Sequence, residues 1–340
     1  MIPTIDIEPL FGPASPARER TDAAIMQAAT GTGFMAITGP LDLIAATPAA
    51  RAGLLRLFAL PPEATARLSR RKFAPGNPNV YRGWFPLQPG FATYKEGIDI
   101  GPDIVRCLAD ESGPASLEAA GASDPLQEPT PLPEPAALPG WREAAARYYR
   151  AMERLGGAMM RAVARGLGLP ETQFEAAFQG GISTLRLIHY PIRPAAAFGD
   201  ADSAWVMHQD RRRALSGAAH VDSGFVTLLA QDGVPGLQAQ AESGAWIDVP
   251  PHEGTLAVNF GTLLERWTGG RIRATRHRVL GSDHARCSIP FFYEPRVDAV
   301  IAPLPGGPAF APFQYGDHLW TAITGFVEFQ GLERLRPKSA

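Results

Sequence analysis

The stretch HVDSGFVTLLAQDGVPGLQAQ, residues 220–240, decides the fold. FVTLLAQ and GLQAQ are short runs of strand-forming residues, and the Asp, Gly, Val and Pro between them mark a turn. The same texture surrounds it in STLRLIHY (183–190), AWIDV (245–249), TLAVNF (255–260), RHRVL (276–280) and RCSIPFFY (286–293). Short strands at regular spacing, broken by Gly, Pro, Asp and Ser, predict an antiparallel double-sheet jelly roll, or double-stranded β-helix, over 180–295. The fold class expected is therefore α+β with a mainly β core and flanking helices.

Upstream, IPTID (2–6) reads as an edge strand, because Pro3 has no backbone donor to give a central ladder. A helix is expected from Pro16 to Ala29, a strand at GFMAITG (33–39) and a second helix from Pro48 to Leu60, an αβ segment placed within 1–115. Residues 109–139, rich in Pro, Ala, Gly, Ser and Glu, read as a long surface loop, a lid or an insertion. From Trp141 to Val163 the large apolar side chains recur at helical spacing with arginines between them, which predicts a long amphipathic helix. A terminal helix is placed within 310–332. No linker or repeat divides the chain, so 1–340 is read as a single catalytic unit.

Of the 340 residues 45% are hydrophobic and 19% charged, enough for a core without cross-links. A formal net charge of -2 gives no global basic field to follow phosphates, which argues against nucleic acid as a partner. The chain shows neither a signal-like start nor a run of about 18 apolar residues, so no membrane partner and a cytoplasmic location are expected. Cys107 and Cys287 are too few for a disulfide framework and read as free thiols. The oligomeric state is not legible.

The chemistry lies in three side chains. If the segment around them is extended, His220 and Asp222 leave the same face while Val221 points away. His277, in RATRHRVL, offers a third ligand. Two histidines and one carboxylate leave coordination positions open, the arrangement of non-haem iron(II) oxygenases. A lone His-x-Asp is a weak signal. Its weight comes from RCSIPFFY, where Arg286 and Ser288 alternate onto one face and present a rigid fork and a hydroxyl to a carboxylate. Tyr190 could add a third donor.

This ordered set, His-x-Asp, His and Arg-x-Ser, together with IPTIDIEPL, YRGW (81–84), LIHYP (187–191), NFG (259–261) and HRV (277–279), resembles the isopenicillin N synthase-like branch of the iron(II)/2-oxoglutarate dioxygenases. The resemblance covers most of the chain. It implies a distorted jelly-roll barrel with Fe(II) on His220, Asp222 and His277, and Arg286, Ser288 and Tyr190 gripping a carboxylate. Thr262 and Gly269 stand where many relatives carry Asp and Asn. Across most of the family the gripped carboxylate belongs to 2-oxoglutarate, whereas in isopenicillin N synthase it belongs to the substrate and no keto acid is used. The expected activity is a 2-oxoglutarate-dependent, O2-consuming oxidation of a small organic molecule by hydroxylation, desaturation or cyclisation. The alternatives are an oxidase without 2-oxoglutarate and a non-catalytic metal-binding jelly roll.

By the same resemblance Arg82 and Trp84 are placed at the barrel mouth, where they would meet the substrate. Lys95 and Glu96 read more readily as a solvated pair, and Arg211, Arg212 and Arg213 as a solvated loop. His189, His208, His252, His284 and His318 match no ligand pattern, and Phe225 and Phe292 read as packing.

Overall fold

The computed structural model describes residues 1–40, 47–88, 91–106, 124–194, 197, 204–326 and 328–336. In chain order the strands are β1 (Thr4–Asp6), β2 (Phe34–Thr38), β3 (Gly83–Phe85), β4 (Glu96–Ile100), β5 (Thr184–Tyr190), β6 (Trp205–His208), β7 (Arg211–His220), β8 (Val226–Gln231), β9 (Leu237–Gln240), β10 (Trp246–Asp248), β11 (Leu256–Phe260), β12 (His277–Leu280) and β13 (Arg286–Tyr293). An eight-stranded sheet runs β1-β2-β11-β8-β13-β5-β4-β3, and a five-stranded sheet runs β10-β9-β12-β7-β6. These are the two sheets of the jelly roll, and the pairs within them are antiparallel apart from β1 with β2.

The N-terminal residues do not form a separate layer. β1 and β2 extend one edge of the large sheet and β3 and β4 the other, so the barrel draws on both ends of the segment. The expected boundary at residue 115 lies outside the described residues, as does Cys107. Helix α1 (Pro16–Thr30) starts where Ser15 accepts a hydrogen bond from the Arg18 amide (3.3 Å) and Pro16 supplies the first helical residue.

Helix α2 (Trp141–Gly166) packs on the outside of the large sheet through Leu155, Met159 and Val163, all fully buried. Tyr149 meets Phe291 of β13 edge-on at 5.0 Å and donates to the Ser183 carbonyl at 2.7 Å. The helix stops where Gly168 turns left-handed (φ 75°), letting the Leu169 amide close back onto Ala164 at 2.9 Å. Each buried leucine or methionine here is worth about 2–5 kcal/mol against alanine.

The structure refines three sequence expectations. Arg211, Arg212 and Arg213 open a ten-residue strand, β7, which pairs with β6 through a turn at Gln209 and Asp210, both at positive φ (49° and 58°). That is the backbone twist a two-residue hairpin requires. The surface loop of 109–139 is, from Asp124 onward, held against the body. Both oxygens of Glu128 accept backbone amides, from Val80 at 2.9 Å and from Tyr81 and Arg82 at 2.6 Å each. The C-terminal helix, α3 (Tyr315–Ile323), is shorter than 310–332 because Phe313–Gln314 is a strand pairing with Val300–Ile301 and turns follow Ile323.

Candidate active site

β7 and β12 bring the two histidines together, since His220 and His277 are direct cross-strand partners. Asp222 lies two residues past the end of β7. Its Oδ1 faces both imidazoles, 3.7 Å from each Nε2. One ligand atom from each of the three residues lies within 4.8 Å of the others.

The surroundings fix which atoms converge. His220 donates from Nδ1 to the Ala218 carbonyl (2.8 Å) and His277 from Nδ1 to the Thr275 carbonyl (3.1 Å), which leaves both Nε2 lone pairs facing inward. Asp222 Oδ2 accepts from Thr227 Oγ1 (2.6 Å) and Asn259 Nδ2 (2.7 Å), so Oδ1 is the oxygen left for a metal. Burial, with His277 alongside, lowers the His220 imidazole to about 4. Burial alone would raise Asp222, but the two imidazoles and the Thr227 and Asn259 hydrogen bonds hold it below the ordinary carboxylate value. Two inward-facing imidazole nitrogens and a carboxylate oxygen suit a divalent cation, and they fit Fe(II) with a face open to small molecules.

Arg286 and Ser288 project from β13 beside Tyr190, the residue opposite Arg286 on β5. Ser288 Oγ and Tyr190 Oη are 3.5 Å apart, and the Arg286 guanidinium lies 5.2 Å from the Tyr190 ring centroid. Nε of Arg286 donates to the Val234 carbonyl (3.2 Å) and Nη2 to Gln231 Oε1 (3.1 Å). Its Nη1 is buried with no hydrogen-bond partner among the described residues. A buried guanidinium N–H without an acceptor, next to two hydroxyls, fits a ligand carboxylate.

A cavity of about 300 Å³ extends from the metal ligands, with Tyr190, Arg186, Lys95, Phe292 and Glu294 in its wall and α3 along one side through Leu319 and Ile323. Arg82 and Trp84 are not among its lining residues. The Glu128 carboxylate fixes the backbone so that Arg82, fully buried, donates instead to Thr184 Oγ1 (2.6 Å) and the Ile182 carbonyl (2.7 Å). Trp84 packs against Phe58 at 5.5 Å. Tyr81 of the same YRGW segment does line the cavity. Lys95 also reaches it, paired with Glu328 at 3.5 Å, whereas Glu96 is taken by His189 at 2.8 Å.

Sequence reasoning missed Thr227, Asn259, Gln231, Arg186 and Glu294. Alternation along STLRLIHY puts Thr184, Arg186 and Tyr190 on one face, which was a usable signal for Arg186. Glu294 is buried with one oxygen accepting from Tyr315 Oη and the other from Thr184 Oγ1, both at 3.0 Å. Burial raises its carboxyl to about 7 against the opposing pull of Arg82.

Residues 187–295 match the model of the 2OG-Fe(II) oxygenase superfamily. Over 316 residues, 89% of this chain and 82% of the relative, the sequence is 31% identical to a 2-oxoglutarate-Fe(II) type oxidoreductase of Emericella nidulans. The chain belongs to the 2-oxoglutarate/iron(II) oxygenase superfamily. It is also 30% identical to the isopenicillin N synthase of Streptomyces clavuligerus, covering 97% of both chains, which places it in that branch. The fold agrees with that of a full-length Neurospora crassa protein solved in complex with alpha-KG and 5-formyluracil, at 24% identity, a TM-score of 0.74 and 96% coverage of each chain. The chain is thus an oxidoreductase of the 2-oxoglutarate-dependent dioxygenase kind, using Fe(II), 2-oxoglutarate and O2.

Proposed function

We propose that His220, Asp222 and His277 hold the ferrous ion, that Arg286, Ser288 and Tyr190 hold the distal carboxylate of 2-oxoglutarate, and that the cavity beyond them takes a small organic substrate for hydroxylation, desaturation or cyclisation. The observation that carries this reading is the buried Nη1 of Arg286, without a hydrogen-bond partner among the described residues, opposite Tyr190, which lines the cavity of the metal ligands. When bound, the ion supplies O2 activation coupled to oxidative decarboxylation of 2-oxoglutarate to succinate and CO2.

The chain's own part is placement. The backbone carbonyls of Ala218 and Thr275 keep the two imidazoles in one tautomer, and Thr227 and Asn259 hold the carboxylate between them. Gln231, anchored by its own donation to the Val249 carbonyl (3.2 Å), sets the angle of the Arg286 fork. Phe292, Leu319 and Ile323 give the substrate an apolar wall and keep water from the reacting carbon.

Anaerobic Fe(II) titration with and without 2-oxoglutarate, followed in the visible region, tests the reading. A band that needs both components, with succinate release once O2 is admitted, is the expected result. Zinc should fill the site and give no turnover, having no redox chemistry with oxygen. Turnover without any keto acid would sink the co-substrate assignment.

A further inference from the structure

The wall of the iron cavity carries a positive charge that its own residues do not balance. Asp99, fully buried, is the acceptor for two guanidinium groups, Arg70 and Arg186. Glu328, 3.5 Å from Lys95, also acts electrostatically on Arg70 and Arg186, while Arg82 and Glu294 both bond the Thr184 hydroxyl. Lys95, Arg70 and Arg186 thus face two carboxylates, Asp99 and Glu328, which leaves one surplus cation in a low-dielectric wall, and such a charge is costly until an anion meets it.

The surplus is presented at Arg186. Arg70 is wholly enclosed, whereas the Arg186 side chain is 19% exposed and lines the cavity. Its Nε and Nη2 are spent on Asp99 at 2.5 and 2.8 Å, and Nη1 is left without a protein partner among the described residues. The guanidinium is also held between two rings, Phe85 and Phe292, each with its centroid 5.4 Å away. A cation fixed by a bidentate carboxylate and two aromatic faces has little entropy left to lose when it receives a ligand.

We infer that the organic substrate carries a carboxylate, that Arg186 receives it, and that the substrate's apolar body lies along Phe292, Leu319 and Ile323. This rests on the proposed function. The site is separate from the 2-oxoglutarate grip. Arg186 and Tyr190 lie on one face of β5 four residues apart, about 13 Å along a strand, so a single five-carbon diacid cannot occupy both. The substrate class is a small monocarboxylic acid with an aryl or alkyl chain.

The test uses the enzyme loaded with Fe(II) and saturating 2-oxoglutarate, without O2, titrated by calorimetry with 3-phenylpropanoate and octanoate and with their primary amides. The acids should bind roughly tenfold or more tighter than the amides, the range expected of a hydrogen bond to a charged group. In Arg186→Gln that preference should vanish. In Arg186→Lys, which keeps a cation opposite Asp99, it should return in part, with the 2-oxoglutarate dissociation constant little changed in both. Equal binding of acid and amide by the wild-type protein overturns the inference without recourse to any variant. So does an acid that binds only by displacing 2-oxoglutarate, which would place it on Arg286. Failure of the wild-type enzyme to bind 2-oxoglutarate at all would strike instead at the proposed function.

Discussion

Replacing Arg286 with alanine removes the cation that meets the 2-oxoglutarate carboxylate. The side chain is 3% exposed, and its unpartnered Nη1 is enclosed by protein, so a carboxylate bound there is largely out of water. Deleting one member of a buried charge pair costs about 3–5 kcal/mol. At about 1.4 kcal/mol per decade, the dissociation constant should rise by two to nearly four orders of magnitude. Part of the damage would be structural, because Gln231 Oε1 and the Val234 carbonyl lose their donor. Arg286→Lys separates the two effects: it keeps the charge, loses the planar fork and should recover part of the affinity. The assay is anaerobic titration of 2-oxoglutarate into the Fe(II) enzyme, with the denaturation midpoint recorded for each variant. A dissociation constant within about threefold of wild type in Arg286→Ala, with the protein folded, would refute the reasoning and leave Arg286 as a purely structural residue.

His220→Ala and Asp222→Ala should each lose iron, read as metal stoichiometry, while circular dichroism stays near wild type, since both residues are only partly buried at the cavity. Asn259→Ala takes a hydrogen bond from Asp222 Oδ2 without touching the ligand set, and Fe(II) affinity measured by competition with a chelator should fall about 10–100-fold. Glu294 gives a pH signature. Its carboxyl is raised from 4.5 to about 7 by burial, so the folded state holds a proton that the unfolded chain has released. Its contribution is therefore most favourable below pH 4.5 and is lost as pH rises towards 7, an order of about 3 kcal/mol. Denaturant midpoints between those limits should fall less steeply in Glu294→Gln than in wild type, and identical slopes would count against the shift.

Strands such as FVTLLAQ and RCSIPFFY were legible because each is a short run rich in β-branched and aromatic residues, buried along most of its length and set off by turn residues. β6 and β7 were not. WVMH is short, and RRRALSGAAH combines a charged run with small residues that carry little hydrophobic contrast. The metal triad could be read because His220 and Asp222 share one short segment and His277 sits in a recognisable strand. The Arg70, Asp99 and Arg186 cluster could not, since it joins three segments whose adjacency is set by sheet order. Arg82 shows the limit of position alone: a carboxylate 46 residues further along the chain, Glu128, decides which way its backbone is held.

The antiparallel ribbon of β5 and β13 bears on how this chain can vary. Tyr190 and Arg286 sit at one end of it, and Thr184 and Phe292 are partners near the other. Because side chains change face at every residue, inserting or deleting one residue between 184 and 190 would turn Arg186 or Tyr190 away from the cavity relative to the other. The interval from 286 to 292 is constrained in the same way. Descendants that take new substrates would therefore differ by exchanges at 184, 186 and 292, with the lengths of both strands kept. Gains and losses of residues would collect instead in the connections, where they shift no register.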